Sequence, residues 1–215
     1  SGSGIGAAIA RRLARDGWGV IGVDLTPQDE AAFLAGRRVC DLADPAQIAT
    51  LVAGLPRVRA VVHAAGFMRT AVLEDLDPAS GEAMWAVHVR ALELLAQALC
   101  PAMPPGGRLL AIGSRTSGGA AGKSQYAACK AAVTALIRSW AIELAPRGVT
   151  ANVIAPAATA TPMLSDAGRT VAPVTPPIGR FIEPDEIAAY AAFILSPDAA
   201  AITGQELLIC GGASL

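Results

Sequence analysis

Ser1-Gly2-Ser3-Gly4-Ile5-Gly6 opens the chain and runs at once into Ala7-Ala8-Ile9-Ala10-Arg11-Arg12-Leu13. A glycine loop feeding an alanine-rich helix decides the fold reading. Glycines let a backbone approach a pyrophosphate closely, while the helix N-terminus offers N–H groups and partial positive charge. Loops of this kind follow a strand, and none precedes Ser1, so the chain is expected to lack its first strand. The spacing Gly2-x-Gly4-x-Gly6 does not fit GxGxxG, and alone it reads equally well as a flexible end before a helix.

Outward from that loop, short apolar runs alternate with longer amphipathic stretches. Strands are predicted at 19–23, 37–40, 60–63, 108–112, 150–154 and 206–209. Most are continuously apolar, as strands covered on both faces of a parallel sheet should be. Helices are predicted at 5–16, 45–54, 81–99, 124–144 and 184–195. Pro27, Pro45 and Pro184 each follow a residue able to cap a helix. The pattern predicts an α/β fold: one three-layered, doubly wound parallel sheet forming a single domain over residues 1–215.

Composition agrees with that size and excludes several classes. A chain of 215 residues buries a full core without disulfides or metals. Seventeen Lys and Arg against eighteen Asp and Glu give a net charge of -1, so no basic field is available for nucleic acid or an anionic membrane surface. The hydrophobic fraction is 53%, yet no apolar run approaches the roughly 18 to 20 residues of a membrane span. Cys40, Cys100, Cys129 and Cys210 lack CxxC spacing, and His63 and His88 lie far from them, so neither a disulfide framework nor a metal site is expected. A reducing cytoplasm suits such a chain.

Three features carry chemistry. Asp24 ends the first predicted strand eighteen residues after Gly6, close to the spacing at which an acidic side chain reaches the adenosine ribose of a dinucleotide. It would repel a 2'-phosphate, and neither Ser3 nor Leu25 offers a compensating cation, so NAD is expected over NADP. Tyr126 and Lys130 lie four apart on a helix, hence on one face, where an ammonium stabilises a phenolate. With two lysines and two tyrosines in the chain, such a pair arises in about 2% of shuffles, which makes chance a poor explanation. Ser114 follows a strand and precedes Tyr126 by twelve residues, with Gly118, Gly119 and Gly122 letting the loop between fold back.

Together these residues resemble the short-chain dehydrogenase/reductase family, in order and over essentially the whole chain. Gly4-Ile5-Gly6 is similar to the end of that family's TGxxxGxG loop, whose first glycine would fall just before Ser1. Asp41-Leu42 resembles the pair beside the adenine, and His63-Ala64-Ala65-Gly66 is a variant of the NNAG stretch. Ser114, Tyr126 and Lys130 match the catalytic serine and YxxxK pair. Residues 156–161, with Pro156, Ala157, Thr159 and Thr161, resemble the segment that receives the nicotinamide carboxamide. The resemblance implies hydride transfer between a nicotinamide and a secondary alcohol or ketone. Tyr126 would be acid and base, Lys130 would lower its pKa and bind the ribose, and Ser114 would hold the substrate oxygen.

There are departures. His88 stands where the family has an Asn that helps hold a water in a proton relay, and imidazole also donates and accepts. Ala157 replaces a glycine beside the nicotinamide. These two leave open an alternative, a dinucleotide-binding regulatory protein without turnover. Residues 163–182 resemble a short substrate lid, and Phe67, Met68, Thr116, Ser117 and Ala158 are expected as pocket walls. Family members pair through the long helices, so a homotetramer or homodimer is expected, with small faces formed by Ala83, Ala86, Ala91, Ala96 and Ala98 and by Ala131, Ala132 and Ala135.

Overall fold

In the computed structural model, which describes residues 1–27, 31–166 and 171–215, β4 (Arg108–Ile112) and β5 (Thr150–Pro156) form the centre of the molecule, every residue of both strands being buried. Their side chains alternate between two cores. Leu109, Ala111, Ala151 and Val153 face one cluster, and Leu110, Ile112 and Ile154 face another. Each strand is therefore apolar on both sides, which is why it reads as a continuous hydrophobic run.

All strand pairing is parallel. β3 (Ala60–His63), β4, β5 and β6 (Glu206–Ile209) form a four-stranded sheet in that order. β1 (Ile21–Asp24) and β2 (Gly36–Val39) form a separate two-stranded sheet. The parallel, doubly wound arrangement expected from sequence is present, as two ladders, since β1 and β3 share none. Ser1 lies beside the end of β1: its ammonium donates to the Val23 carbonyl, and it lies close to Gly6 beside Ala64.

Helices α1 (Gly4–Arg15) and α6 (Pro184–Leu195) pack together on one face. The other face is covered by α2 (Pro45–Ala53), α3 (Pro78–Trp85), α4 (Ala91–Leu99) and α5 (Ser124–Leu144). The result is the expected three layers. Asp44 caps α2, accepting from the Ala46 and Gln47 amides. Glu186 in the first turn of α6 accepts from the Glu183 N–H at 2.8 Å. Both are the proline-marked starts read from sequence. The third differs: the Thr26 N–H and hydroxyl donate to Asp24 rather than capping a helix, and residues 28–30 lie outside the described residues.

The helix predicted at 81–99 starts earlier, at Pro78. Asp77 accepts from the Ala79 and Ser80 amides as its cap. It is also interrupted: Ala86–Arg90 is one turn of π-helix joining α3 to α4. Turns of that kind gather at functional sites, and this one buries His88 and Val89, each 1% exposed. β5 runs two residues beyond its expected end because Pro156 still pairs with Ile209 while the Ala157 N–H donates to the Ile209 carbonyl.

Candidate active site

The carboxyl ends of β3, β4 and β5 and the start of α1 enclose a cleft of about 370 Å3. Ser114, immediately beyond β4, is 8% exposed. Its hydroxyl accepts from the Thr116 N–H at 3.2 Å and shares a 2.9 Å hydrogen bond with the Thr116 hydroxyl. The short turn that follows is tied down from afar: the Ser117 hydroxyl donates to Glu206 at the start of β6, 2.8 Å away, and the Thr134 hydroxyl of α5 donates to the same oxygen at 3.2 Å. One carboxylate therefore fastens the serine loop to the helix carrying the other site residues. Ser117 is accordingly no pocket wall, contrary to expectation.

Tyr126 and Lys130 occupy the first turns of α5 and are 5% and 4% exposed. The Lys130 ammonium donates to the Ile112 carbonyl at 2.7 Å and lies 5.6 Å from the centre of the Tyr126 ring. Burial pulls its pKa down to about 8, so it stays mostly charged at neutral pH. His88 stands edge-on to Tyr126, with ring centres 5.5 Å apart. Its Nε2 lies 2.8 Å from the Phe67 carbonyl, which can only accept, so Nε2 carries the proton and Nδ1 a lone pair. Burial, then the Lys130 charge, push the His88 pKa well below the ordinary histidine value. Gly66 makes room for this ring, since a Cβ there would sit 2.2 Å from His88 Cε1.

On the opposite wall, Gly4 opens α1 with φ +52°, and its position lies against Thr161. Only glycine adopts that conformation readily. A Cβ on Gly6 would lie 3.5 Å from Ala64. The loop thus presents bare backbone at a helix N-terminus, and it fits a dinucleotide pyrophosphate. Ala157 has no left-handed backbone, so its replacement of glycine is accommodated without strain.

Of the residues singled out from sequence, Ser3, Gly4, Ile5, Gly6, Ala64, Ala65, Gly66, His88, Ser114, Tyr126, Lys130, Pro156, Ala157, Thr159 and Thr161 line this one cleft. Asp24, Leu25, Asp41 and Leu42 do not. Asp24 accepts from the Gly2 amide at 2.7 Å and the Ser1 ammonium at 2.9 Å. Burial pulls its pKa up, but those hydrogen bonds outweigh it and hold the pKa at about 2. Leu25 is 65% exposed. Asp41 accepts from the Ala43 N–H, and Leu42 packs on the cluster of Cys40, Ile48 and Leu51. The sequence reading passed over Arg115, Lys123 and Asp166, which also line the cleft. Adjacency to Ser114 and Tyr126 was the available signal for the first two.

A family model described as enoyl-(acyl carrier protein) reductase matches residues 1–214. The short-chain reductase protein NovJ of Streptomyces niveus is 33% identical over 237 residues, covering 99% of this chain and 90% of its own. The chain is a short-chain dehydrogenase/reductase. A crystal structure of a short-chain dehydrogenase from Burkholderia cenocepacia in complex with NADP superimposes with a TM-score of 0.89 at 31% identity, covering 100% of this chain and 95% of that one. A 3-ketoacyl-(acyl-carrier-protein) reductase from Brucella melitensis, complexed with NADH, gives 0.88 at 27% identity with the same coverage. This short-chain dehydrogenase/reductase is an NAD(P)-dependent oxidoreductase that moves hydride between a nicotinamide dinucleotide and an alcohol or ketone. Nothing favours the non-catalytic alternative: the serine, tyrosine and lysine share one cleft, and Ala157 fits. Among the described residues no helix is long and apolar enough to cross a membrane, and no metal-binding cluster of His, Cys, Asp or Glu occurs.

Proposed function

We propose that this protein oxidises a secondary alcohol, or reduces the corresponding ketone, with NAD(H) in preference to NADP(H), through Ser114, Tyr126 and Lys130. The convergence of these three side chains beside the bare glycine loop supports the reading. The bound dinucleotide supplies the hydride acceptor or donor at its nicotinamide ring. Ser3, Gly4, Ile5 and Gly6 hold its pyrophosphate, Ala64, Ala65 and Gly66 flank it, and Pro156, Ala157, Thr159 and Thr161 receive its carboxamide end.

Tyr126 takes the proton from the substrate hydroxyl in oxidation and returns it in reduction. Lys130 supplies positive charge beside the phenol and reaches the ribose of the dinucleotide. The Thr116 N–H donates to the Ser114 hydroxyl, and with the Thr116 hydroxyl donating to it as well the serine proton is aimed at the substrate oxygen. His88, neutral and locked by Phe67, positions the Tyr126 ring by its edge. Residues 163–182 act as the substrate lid of the single domain at 1–215; within it Asp166 pairs with Arg69 at 3.1 Å across the cleft mouth, while 167–170 lie outside the described residues.

The NAD preference rests on Asp24, charged over the working pH range, with Leu25 beside it; Asp41 and Leu42 shape the adenine side. Exposed Trp85, Ile142, Phe193 and Leu208 support a homotetramer or homodimer. Of the small residues expected to form that face, Ala86, Ala91 and Ala96 are buried within the chain instead, while Ala83, Ala98, Ala131 and Ala135 are exposed. The four thiols, all unbridged, suit a reducing cytoplasm, where we place the protein.

A panel of secondary alcohols and ketones, followed by the absorbance of the reduced nicotinamide with each dinucleotide, tests the reading. Turnover with NAD(H) at lower KM than with NADP(H) is expected. Turnover confined to NADP(H) would overturn the cofactor assignment, and no turnover with either would overturn the activity.

A further inference from the structure

Arg115 stands directly after Ser114, so its Cα lies about 3.8 Å from that of the residue assigned to the substrate oxygen. Ser114 and Thr116 are both buried, while Arg115 between them is exposed and lines the cleft. Several other arginines are engaged: Arg12 with Asp16, Arg180 with Glu186, Arg69 with Asp166, and Arg147 with three backbone carbonyls. The Arg115 side chain makes no hydrogen bond or ion pair among the described residues.

The charge around it is one-sided. Lys123 and Lys130 also line the cleft. The single carboxylate in the described lining is Asp166, and Arg69 already faces it at 3.1 Å. Beyond Arg115 the wall is open, since a Cβ on Gly118 or Gly119 would meet nothing within 4 Å. Phe67, Met68, Met163, Leu164 and Val174 supply apolar wall, beside the hydroxyls of Thr116, Thr159 and Thr161. A guanidinium is a rigid fork of donors that matches carboxylate and phosphate oxygens in pairs.

We infer that the substrate is a ketone or alcohol with an apolar body and an anionic group, and that Arg115 binds the anionic oxygens and sets this specificity. The inference rests on the reading that Ser114 and Tyr126 hold the reacting oxygen. The anion belongs either to the substrate itself, as a carboxylate, or to a carrier, as a phosphate, and the same fork serves both.

Matched pairs of ketones test it, with the dinucleotide held saturating. Levulinate is compared with methyl propyl ketone, and acetoacetyl-coenzyme A with methyl acetoacetate, in the wild type, Arg115→Gln and Arg115→Lys. The readout is the ratio of kcat/KM for the charged member to that for the neutral one, which a general loss of activity leaves unmoved. At least one wild-type ratio is expected to be about tenfold or more, to fall to within about threefold of unity in Arg115→Gln, and to be partly kept in Arg115→Lys. Raising the salt from about 0.05 to about 0.5 M should lower the wild-type ratio by screening. A collapse confined to the levulinate pair places the anion on the substrate, and one confined to the thioester pair places it on a carrier. Wild-type ratios near one in both pairs, or ratios that Arg115→Gln leaves unchanged, would overturn the inference while the oxidoreductase reading stands. No reduction of any of the four ketones by a protein that turns over a member of the wider panel would overturn this inference, and no turnover anywhere in that panel would overturn the reading it rests on.

Discussion

His63 and Asp24 each close a strand at the same pole of the molecule, yet they carry opposite electrostatics. His63 ends β3 inside the four-stranded sheet and is 4% exposed; burial, then the Lys130 charge, pull its pKa down to about 4, so it is neutral. Asp24 ends β1 on the two-stranded sheet, with its side chain 25% exposed, and hydrogen bonds hold it ionised. In the thick part of the fold desolvation decides the protonation state; on the thin part local donors do. The residues proposed for proton transfer are built on the first, and those proposed to choose the cofactor stand on the second. β2, the outer strand of that ledge, has Arg37, Arg38 and Val39 all exposed, so adenosine-side residues can change with little cost to the core.

The sharpest way to break this contrast is Tyr126→Phe. On the thick side, deleting one hydroxyl should lower kcat by about 10²- to 10⁴-fold, with the dissociation constant for the dinucleotide within a few fold. A variant keeping half the wild-type kcat would remove Tyr126 from the proton-transfer role.

A smaller effect should appear in stability. His63 has a folded pKa near 4 against an ordinary value of 6.5, so between those limits the unfolded chain binds more protons and stability falls as pH falls. The loss across that window should be on the order of 3 kcal/mol, and His88, shifted in the same direction, adds to it. Urea unfolding followed from pH 7 to about 4 measures the slope. His63→Leu should flatten it, and an unchanged slope would mean that His63 is not the buried neutral group.

Smallest is the ledge itself. Asp24→Ala should shift the ratio of NAD to NADP dissociation constants by about tenfold toward NADP, mainly by removing repulsion of the 2'-phosphate. Calorimetric titration checks it, with Tyr126→Phe as the control that should leave the ratio unmoved.

The contrast also explains what could be read from the chain. β3, β4, β6, α5 and α6 were legible to the residue; β4 carries its signal locally as a strand with two apolar faces, and α6 as a helix started by a proline. Tyr126 and Lys130 were legible through helical spacing and the scarcity of both residue types. What escaped depends on partners far away. Ser117 meets Glu206 across 89 positions, and Arg69 meets Asp166 across 97, so no window of sequence contains either pair. The start of α3 escaped for a different reason: Ala79, Ser80 and Gly81 give its first turn no apolar stripe, although Asp77 before Pro78 was a cap in plain view.

The π-helical turn at Ala86–Arg90 has a consequence for how this chain tolerates insertions and deletions. Each residue of a regular helix advances about 100° around its axis, and the wide turn takes up one extra residue locally, which keeps the angular phase between α3 and α4. Substitutions at its exposed position, Arg90, leave that phase alone. Removing one residue from the segment would restore an unbroken α-helix with its flanks in nearly the same phase, but it would take away the wide turn and move His88 relative to Gly66 and Tyr126. Within these five positions the length of the chain, more than the identity of its exposed side chain, is what descent must preserve.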